Sequence, residues 1–215
     1  MSRRIDLSRR AEIGIEKRTR TRATLLSVAR ELFGHEGGKS TRIEDICERA
    51  GVARGTFYNY FPSIDAVQEA LFEDLSRDFD DAVHLVFAEL DGPVERTAAA
   101  IRYYIGRAGH DAAWGWGMVN TGMGTGLLAN EIAERVEATV QEGIDAGEFS
   151  IESAIAGRDI VLGTGLAAAI TLLKGAAPPN YPELTAARLL MALGVDEPIA
   201  NAVVQRPLRS LPNAE

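Results

Sequence analysis

Residues 41–63 read TRIEDICERAGVARGTFYNYFPS and decide the fold. The pattern predicts one short helix over residues 41–50 and another over residues 53–60, with Gly51 in the turn between them. A turn of three to four residues, often with glycine, is typical of the helix-turn-helix motif. Apolar residues at intervals of three and four predict a preceding helix over residues 17–33. The three helices predict a domain over residues 17–62.

The second short helix has two chemically different faces. Phe57 and Phe61 fall together on a helical wheel, whereas Gly55, Tyr58 and Asn59 fall on the opposite side. Arginine can bind guanine through two hydrogen bonds, and asparagine can do the same with adenine. Tyrosine hydroxyls can reach phosphates, and glycine lets the backbone approach a duplex closely. The polar face therefore predicts a helix that reads double-stranded DNA.

Residues 21–75 closely resemble the DNA-binding domain of the tetracycline-repressor (TetR/AcrR) family. The resemblance rests on the helix start, the AGV turn at residues 50–52, the segment GTFYNYF at residues 55–61 and the long helix that follows. It implies an all-α fold, in which an N-terminal three-helix helix-turn-helix DNA-binding domain is joined by a long helix to a C-terminal helical bundle that dimerises. By this resemblance the DNA-contacting positions are Thr41, Arg54, Thr56, Tyr58, Asn59 and Tyr60, to which the polar surface adds Arg42 and Gly55.

Two residues depart from the family pattern. Ala53 stands where the family commonly has a capping serine or threonine, and the missing cap costs about 1 kcal/mol. Ile64 stands where the family usually has a phosphate-binding lysine. These departures leave a second hypothesis open, namely a ligand-binding or interaction protein of the same fold with lost or altered DNA binding.

Charge is distributed unevenly along the chain. Residues 1–62 carry 13 Lys and Arg against 8 Asp and Glu, whereas the remaining residues carry 10 against 23, for a net charge of −8. This asymmetry predicts a polyanion-binding unit on an acidic body. Residues 1–16 predict a flexible basic arm, which is either a solvated tail or an arm that contacts phosphates or the minor groove. In the second interpretation Arg18, Arg20 and Arg22 also contact DNA.

Beyond residue 62 the apolar residues continue to recur at helical spacing. Residues 63–206 therefore predict a helical ligand-binding and dimerisation domain, and residues 207–215 predict a disordered tail. A long helix starts at Ser63 and ends near residue 91. Further helices are predicted near residues 94–108, 111–120, 127–146, 152–174, 182–194 and 196–205.

The segment 151–173 is apolar nearly all round. A helix of that kind has to be covered on every side, either as a core helix of a monomer or as part of a dimer interface. One recognition helix reads few base pairs, so such modules bind palindromes as two-fold dimers. We therefore expect a homodimer whose interface contains Ile155, Leu162, Leu166, Ile170 and Leu190.

Aromatic and methionine residues are concentrated around residues 103–123. Both tryptophans and two of the four methionines lie within ten residues that are interrupted by glycine. Such side chains suit a pocket for a small apolar or aromatic molecule, and ordinary core packing explains them equally well. The family resemblance favours an effector pocket, for which the candidate lining residues are Tyr103, Tyr104, Trp114, Trp116, Met118 and Met123.

The sequence contains no recognisable catalytic or metal site. His35, His84 and His110 lie on separate segments without partners at metal-ligand spacing. The glycine-rich residues 122–126 fit neither a Walker loop nor a dinucleotide-binding motif. The single cysteine, Cys47, excludes an internal disulfide and fits a small core residue better than a redox sensor. We expect no enzymatic activity, no metal and no cofactor.

The sequence also shows no segment that we would expect to act as a signal peptide or to span a membrane. The charged N-terminus does not resemble a signal peptide, and the uncharged stretch 160–173 has 14 residues, whereas a bilayer span needs about 20. We therefore predict a cytoplasmic protein without a membrane partner. It is expected to be a homodimeric repressor that a small apolar or aromatic ligand releases from a palindromic operator.

Overall fold

A computed structural model of the chain describes residues 2–87, 89–122 and 131–211, and at residues 2–8, 10–12 and 78 it describes the backbone alone. Every regular element in these ranges is helical, which confirms the predicted all-α class. A 3₁₀ helix, Glu36–Ser40, lies between the first two α-helices. The α-helices are α1 (Ser2–Phe33), α2 (Ile43–Ala50), α3 (Arg54–Tyr58), α4 (Ile64–Phe87), α5 (Gly92–His110), α6 (Ala112–Thr121), α7 (Glu131–Asp145), α8 (Ala154–Leu173), α9 (Tyr181–Ala192) and α10 (Glu197–Val204).

Helix α1 is longer than the sequence predicts. It begins at Ser2, so the predicted start near Lys17 is wrong, and residues 2–16 are helical where a flexible arm was expected. The segment has no proline and is rich in good helix formers, so the helix continues through it, although the side chains described there, at residues 9 and 13–16, are exposed. Ile13 and Ile15 are accordingly exposed.

The turn between α2 and α3 follows the prediction, whereas the start of α2 does not. Gly51 has φ of +66°, a left-handed conformation that glycine adopts at no steric cost and that ends α2. At the other end, the Arg42 amide donates to Oδ2 of Asp45 at 2.8 Å. Asp45 therefore satisfies the start of α2 at Ile43, and the predicted start at Thr41 is wrong.

Helices α1 to α3, here called the three-helix unit, share one apolar core with α4 and α6. Phe57 of α3 is fully buried, as the helical wheel predicts. Ser63 caps α4, because its Oγ accepts a hydrogen bond from the Ala66 amide at 3.1 Å. The core is continuous with α6, so the unit is anchored directly to the rest of the chain. Its members include Leu25, Phe33, Ile46, Phe57, Val67, Leu71, Trp114, Met118 and Val119.

Helices α5 and α7 to α10 surround a second apolar core. Ile105, Val140, Leu189, Leu190 and Leu193 are among its most completely buried members. Because α5, α8 and α9 all contribute to it, the helices predicted to form the dimer interface are themselves packed onto the rest of the chain along one side. Only their opposite sides are free for a partner.

The segment after α10 is ordered against the rest of the chain as far as residue 211. The Tyr103 hydroxyl donates to the carbonyl oxygen of Arg209 at 2.7 Å. Leu208 and Leu211 pack on a cluster from α4 and α5 that includes Val83. The prediction of a disordered tail is therefore wrong for residues 207–211, and residues 212–215 lie outside the described residues.

Candidate DNA-reading surface and ligand cavity

The polar face of α3 is open to solvent. Tyr58 is 45% exposed, and Arg54, Gly55 and Asn59 are also exposed. Phe57 between them is buried and holds the helix against α1 and α2. The structure thus places these predicted DNA contacts on one outward surface. Among the other predicted contacts, Arg42 is exposed, whereas Thr41, Thr56 and Tyr60 are half-buried.

The predicted basic contacts of α1 are open to solvent, and one of them touches the segment just beyond α3. Arg18, Arg20 and Arg22 are exposed. The guanidinium carbon of Arg22 lies 5.2 Å from the ring centroid of Phe61, just beyond α3. This cation–π contact brings at least Arg22 next to the recognition helix.

A cavity of about 570 Å³ lies among α4, α5, α7 and α8. Its walls are mainly apolar, and α4 contributes several aromatic and aliphatic side chains to them. The volume lies within the usual range for small-molecule sites. The apolar lining includes Phe72, Phe79, Val83, Phe87, Ile101, Met118 and Val161.

Charged groups stand at the cavity in two interhelical pairs. Arg135 of α7 pairs with Asp80 of α4. Arg96 of α5 pairs with Glu142 of α7, with 2.5 Å between Nη2 and Oε1. The Arg96 Nε is buried and has no hydrogen-bond partner among the described residues. Sequence reasoning missed all four residues, because no local motif links positions so far apart in the chain.

Only part of the predicted aromatic pocket lines this cavity. Tyr104 and Met118 do, and burial raises the pKa of Tyr104 above its usual value, which keeps the phenol neutral. Trp114 does not line the cavity but packs against Tyr104, with 5.5 Å between the two ring centroids. Its indole nitrogen donates to the Leu75 carbonyl at 3.0 Å and is therefore not available to a ligand.

The remaining pocket predictions fail or lie outside the structure. Tyr103 does not line the cavity, because α5 turns its ring towards the C-terminal segment, where it is bound. Trp116 packs against the core of the three-helix unit instead. Met123 lies outside the described residues.

The predicted interface residues of α8 and α9 fall into two groups. Ile155 is 54% exposed, and Leu162, Leu166 and Ile170 are half-buried. Leu190 is fully buried within its own chain, so its assignment to a dimer interface is wrong. It lies on the inner side of α9, and apolar character alone did not separate that side from the outer one, where Leu184 is exposed beside Arg188.

Helix α8 is also the one described helix whose length and composition would allow a membrane span. Core helices of water-soluble proteins pass the same test, so this is weak evidence. Only 28% of its most apolar window is buried within the chain. The helix therefore presents uncovered apolar surface.

Within the described part of the chain, no group of three or more His, Cys, Asp and Glu side chains could hold a metal ion. Cys47 is buried. Burial and the nearby Glu44 carboxylate raise the pKa of its thiol, which disfavours the reactive thiolate.

Two family models match the chain. Residues 25–71 match the model of bacterial regulatory proteins of the tetR family. Residues 92–206, more than half of the chain, match the model of the tetracyclin repressor-like C-terminal domain. The first match spans the helix-turn-helix, and the second spans α5 to α10.

Solved structures of similar fold include several regulators. RolR in complex with resorcinol is 28% identical, covering 92% of this chain and 100% of its own, with a TM-score of 0.74. A tetR-family regulator from Shewanella sp. PV-4 is 20% identical over 82% of this chain and 99% of its own, with a TM-score of 0.66. FadR from Bacillus subtilis in complex with stearoyl-CoA is 18% identical over 81% and 98%, with a TM-score of 0.60. No curated protein matches the chain.

Proposed function

Because the chain belongs to the tetR family of bacterial regulatory proteins, we propose that it is a sequence-specific transcriptional regulator. It acts in the cytoplasm as a homodimeric repressor, and a small aromatic or apolar ligand releases it from a palindromic operator. The single observation that carries the proposal is that α3 of the helix-turn-helix exposes a polar face to solvent while Phe57 on its other face is buried.

The residue types on that face support direct reading of DNA. Arg54 and Asn59 are the side chains that pair with guanine and adenine in the major groove. The exposed Gly55 has no atom within 4 Å of the position of an added Cβ, so the backbone there can approach a duplex closely. The basic side chains of α1 add phosphate contacts that are independent of sequence.

The uncovered surface of α8 supports a dimer. Ile155, Asp159, Gly163 and Ala167 recur at intervals of four residues and are all exposed, which places them on one side of the helix. Leu184 on α9 is exposed as well. Four helices, two from each subunit, would cover these surfaces and set the two α3 helices on one side of a duplex, with half-sites about 34 Å or a multiple of it apart.

The cavity supports a small-molecule effector. Its walls are apolar, and Tyr104, Arg96 and the Asp80–Arg135 pair supply polar groups at specific points. RolR, whose structure contains resorcinol, covers most of this chain at 28% identity. We therefore propose a small aromatic molecule that carries hydroxyl or other oxygen substituents.

Ligand binding reaches the DNA-reading surface through α4 and α6. Helix α4 supplies Val67 and Leu71 to the core of the three-helix unit and Phe79 and Val83 to the cavity wall. A ligand that binds better to one position of α4 shifts the population towards that position. In a dimer, such a shift changes the spacing of the two recognition helices and thereby the affinity for a palindrome.

Two experiments test the DNA-binding proposal. The first selects bound duplexes from a random pool, and the second tests the DNA that flanks the protein's own coding region in gel shifts. We expect a saturable complex with a palindromic site that weakens steeply as salt is raised. Binding without sequence preference, or no binding, would instead favour a ligand-binding or interaction protein of the same fold with lost or altered DNA binding. The start of α3 at Ala53, which lacks a side-chain cap, and the apolar Ile64 are the residues that favour this second hypothesis. A thermal-shift screen with resorcinol and other substituted phenols then tests the cavity.

A further inference from the structure

The guanidinium of Arg54 is held from two sides although it is exposed. Its Nη1 lies 2.6 Å from Oε1 of Glu44, and its Nη2 donates to the Tyr58 hydroxyl at 3.3 Å. Its central carbon lies 5.8 Å from the centroid of the Tyr58 ring. Glu44 belongs to the first turn of α2 and Arg54 is the first residue of α3, so the ion pair spans the turn of the helix-turn-helix.

The pair changes what Arg54 can do at a DNA surface. A free arginine is attracted to any phosphate, and such contacts supply most of the binding that is independent of sequence. The Glu44 carboxylate offsets this charge and repels phosphates. The N–H groups of Arg54 that are not used by Glu44 and Tyr58 remain available as directional donors, which is what the recognition of a base edge requires.

Holding the side chain in place also lowers the cost of binding. A long arginine side chain loses conformational entropy when it is fixed. In this structure part of that loss precedes binding, because Glu44 and Tyr58 already restrict Arg54. The binding free energy of a base contact that uses this rotamer is therefore more favourable than that of a contact that needs another rotamer.

We infer that Glu44 is a positioning residue that determines specificity: it directs Arg54 towards a base edge and lowers affinity for DNA of other sequences. The inference rests on the proposed DNA-binding function. It assigns a favourable role to an acidic residue on a surface that is otherwise expected to gain from positive charge.

The test uses the full chain and four variants, namely Glu44→Gln, Glu48→Gln, Arg54→Ala and the double variant with Arg54→Ala and Glu44→Gln. Glu44→Gln removes the charge of the carboxylate and keeps its size. Glu48→Gln is the matched control, because Glu48 is exposed one turn further along α2, and no described contact joins it to Arg54. Each protein is measured by fluorescence anisotropy on the site selected by the wild type and on a duplex of scrambled sequence, over a range of salt concentrations.

We expect Glu44→Gln to lower the ratio of specific to scrambled affinity by about fivefold, the upper range for an exposed pair. Its slope of log K against log salt on scrambled DNA should steepen by about 0.9, since Arg54 gains a phosphate. Glu48→Gln should leave the ratio within about twofold of the wild type. In an Arg54→Ala background, Glu44→Gln should no longer change the ratio.

Equal ratios and slopes for Glu44→Gln and Glu48→Gln would overturn the inference, because general repulsion would then explain both. An effect of Glu44→Gln that persists in the Arg54→Ala background would overturn it too. If the wild-type protein selects no site from the random pool, the proposed DNA-binding function itself is refuted. Circular dichroism and thermal unfolding establish that each variant is folded before its affinity is compared.

Discussion

The side-chain nitrogen of Asn120 lies 2.8 Å from the carbonyl oxygen of Phe33, the last residue of α1. The same nitrogen donates to the His35 carbonyl, also at 2.8 Å. Asn120 belongs to α6, and Met118 of that helix lines the cavity. The end of α1 is therefore joined by hydrogen bonds to a helix that lines the cavity.

Replacement of Asn120 by alanine should destabilise the protein by about 1–3 kcal/mol, because the Phe33 carbonyl is buried and would lose its donor. Urea denaturation measures the change. Asn201→Ala, at an exposed position of α10, is the control and should stay within about 0.5 kcal/mol of the wild type. Equal stability of the two variants would show that the link between α6 and α1 contributes little.

The polar face of α3 predicts different effects for two neighbouring residues. Tyr58→Phe should weaken binding to all duplexes by about fivefold, since a hydroxyl that reaches a phosphate carries no sequence information. Its effect on base discrimination should be small, because the ion pair with Glu44 still holds Arg54 when the 3.3 Å hydrogen bond to Tyr58 is lost. Asn59→Ala should remove about 1–3 kcal/mol of discrimination at one position in each half-site. Affinities for the selected site and its single-base variants measure both, and the same pattern in the two variants would contradict the assigned roles.

A charged residue on the exposed side of α8 should separate the proposed dimer. An added Cβ at Gly163 meets no atom within 4 Å in the single chain, so Gly163→Arg should fold. The interface would have to accommodate a long charged side chain where a glycine stood, which costs several kcal/mol although Asp159 lies one turn away. We expect dissociation constants at least about 100-fold higher. Light scattering coupled to size-exclusion chromatography measures the mass.

Gly106→Arg is the matched control for this substitution. Gly106 is a helical glycine of α5 that is exposed and has equally open space around its Cβ position. The control should remain dimeric and gain a similar amount of helix propensity. If both variants were monomeric, or if both were dimeric, the result would argue against an interface at α8.

The three-helix unit could be predicted from the sequence because its contacts are local. The turn needs Gly51, and the burial of Phe57 against α1 follows from helical spacing. The start of α2 was wrong by two residues, because Thr41 and Asp45 are both capable of satisfying a helix start and sequence does not rank them.

The cavity could not be predicted in the same way. Asp80 and Arg135 lie on different helices and meet only after α4 and α7 have packed. Helical periodicity shows which residues face inward, but it does not show which of two inward neighbours borders a cavity. Tyr103 and Tyr104 illustrate this, since adjacent residues of α5 face the C-terminal segment and the cavity, respectively.

Residues 207–211 should contribute measurably to stability. A chain that ends at Arg206 loses the contacts of Leu208 and Leu211 with the α4–α5 cluster, at a cost of about 2–4 kcal/mol for two partly buried leucines. A chain that ends at Leu211 keeps these contacts and is the control. Urea denaturation of both should separate them, and equal midpoints would indicate that the segment is not held in solution.

The buried phenol of Tyr104 predicts that the protein loses stability at alkaline pH. Burial raises the pKa of Tyr104, so above about pH 10 the unfolded chain ionises this phenol while the folded chain does not. The free energy of unfolding should therefore be fully retained below pH 10 and fall by about 1.4 kcal/mol for this group by pH 11. Tyr104→Phe should remove that loss.

At pH 8 the two adjacent tyrosines of α5 should differ in what the loss of the hydroxyl costs. Tyr103→Phe leaves the Arg209 carbonyl without its donor and should cost about 1 kcal/mol. Tyr104→Phe breaks no hydrogen bond to another described residue and should leave stability at pH 8 unchanged, while it weakens binding of any ligand that accepts a hydrogen bond in the cavity. Urea denaturation at pH 8 and pH 11 checks both tyrosines. A Tyr104→Phe variant with the alkaline loss of the wild type would show that its hydroxyl is not buried.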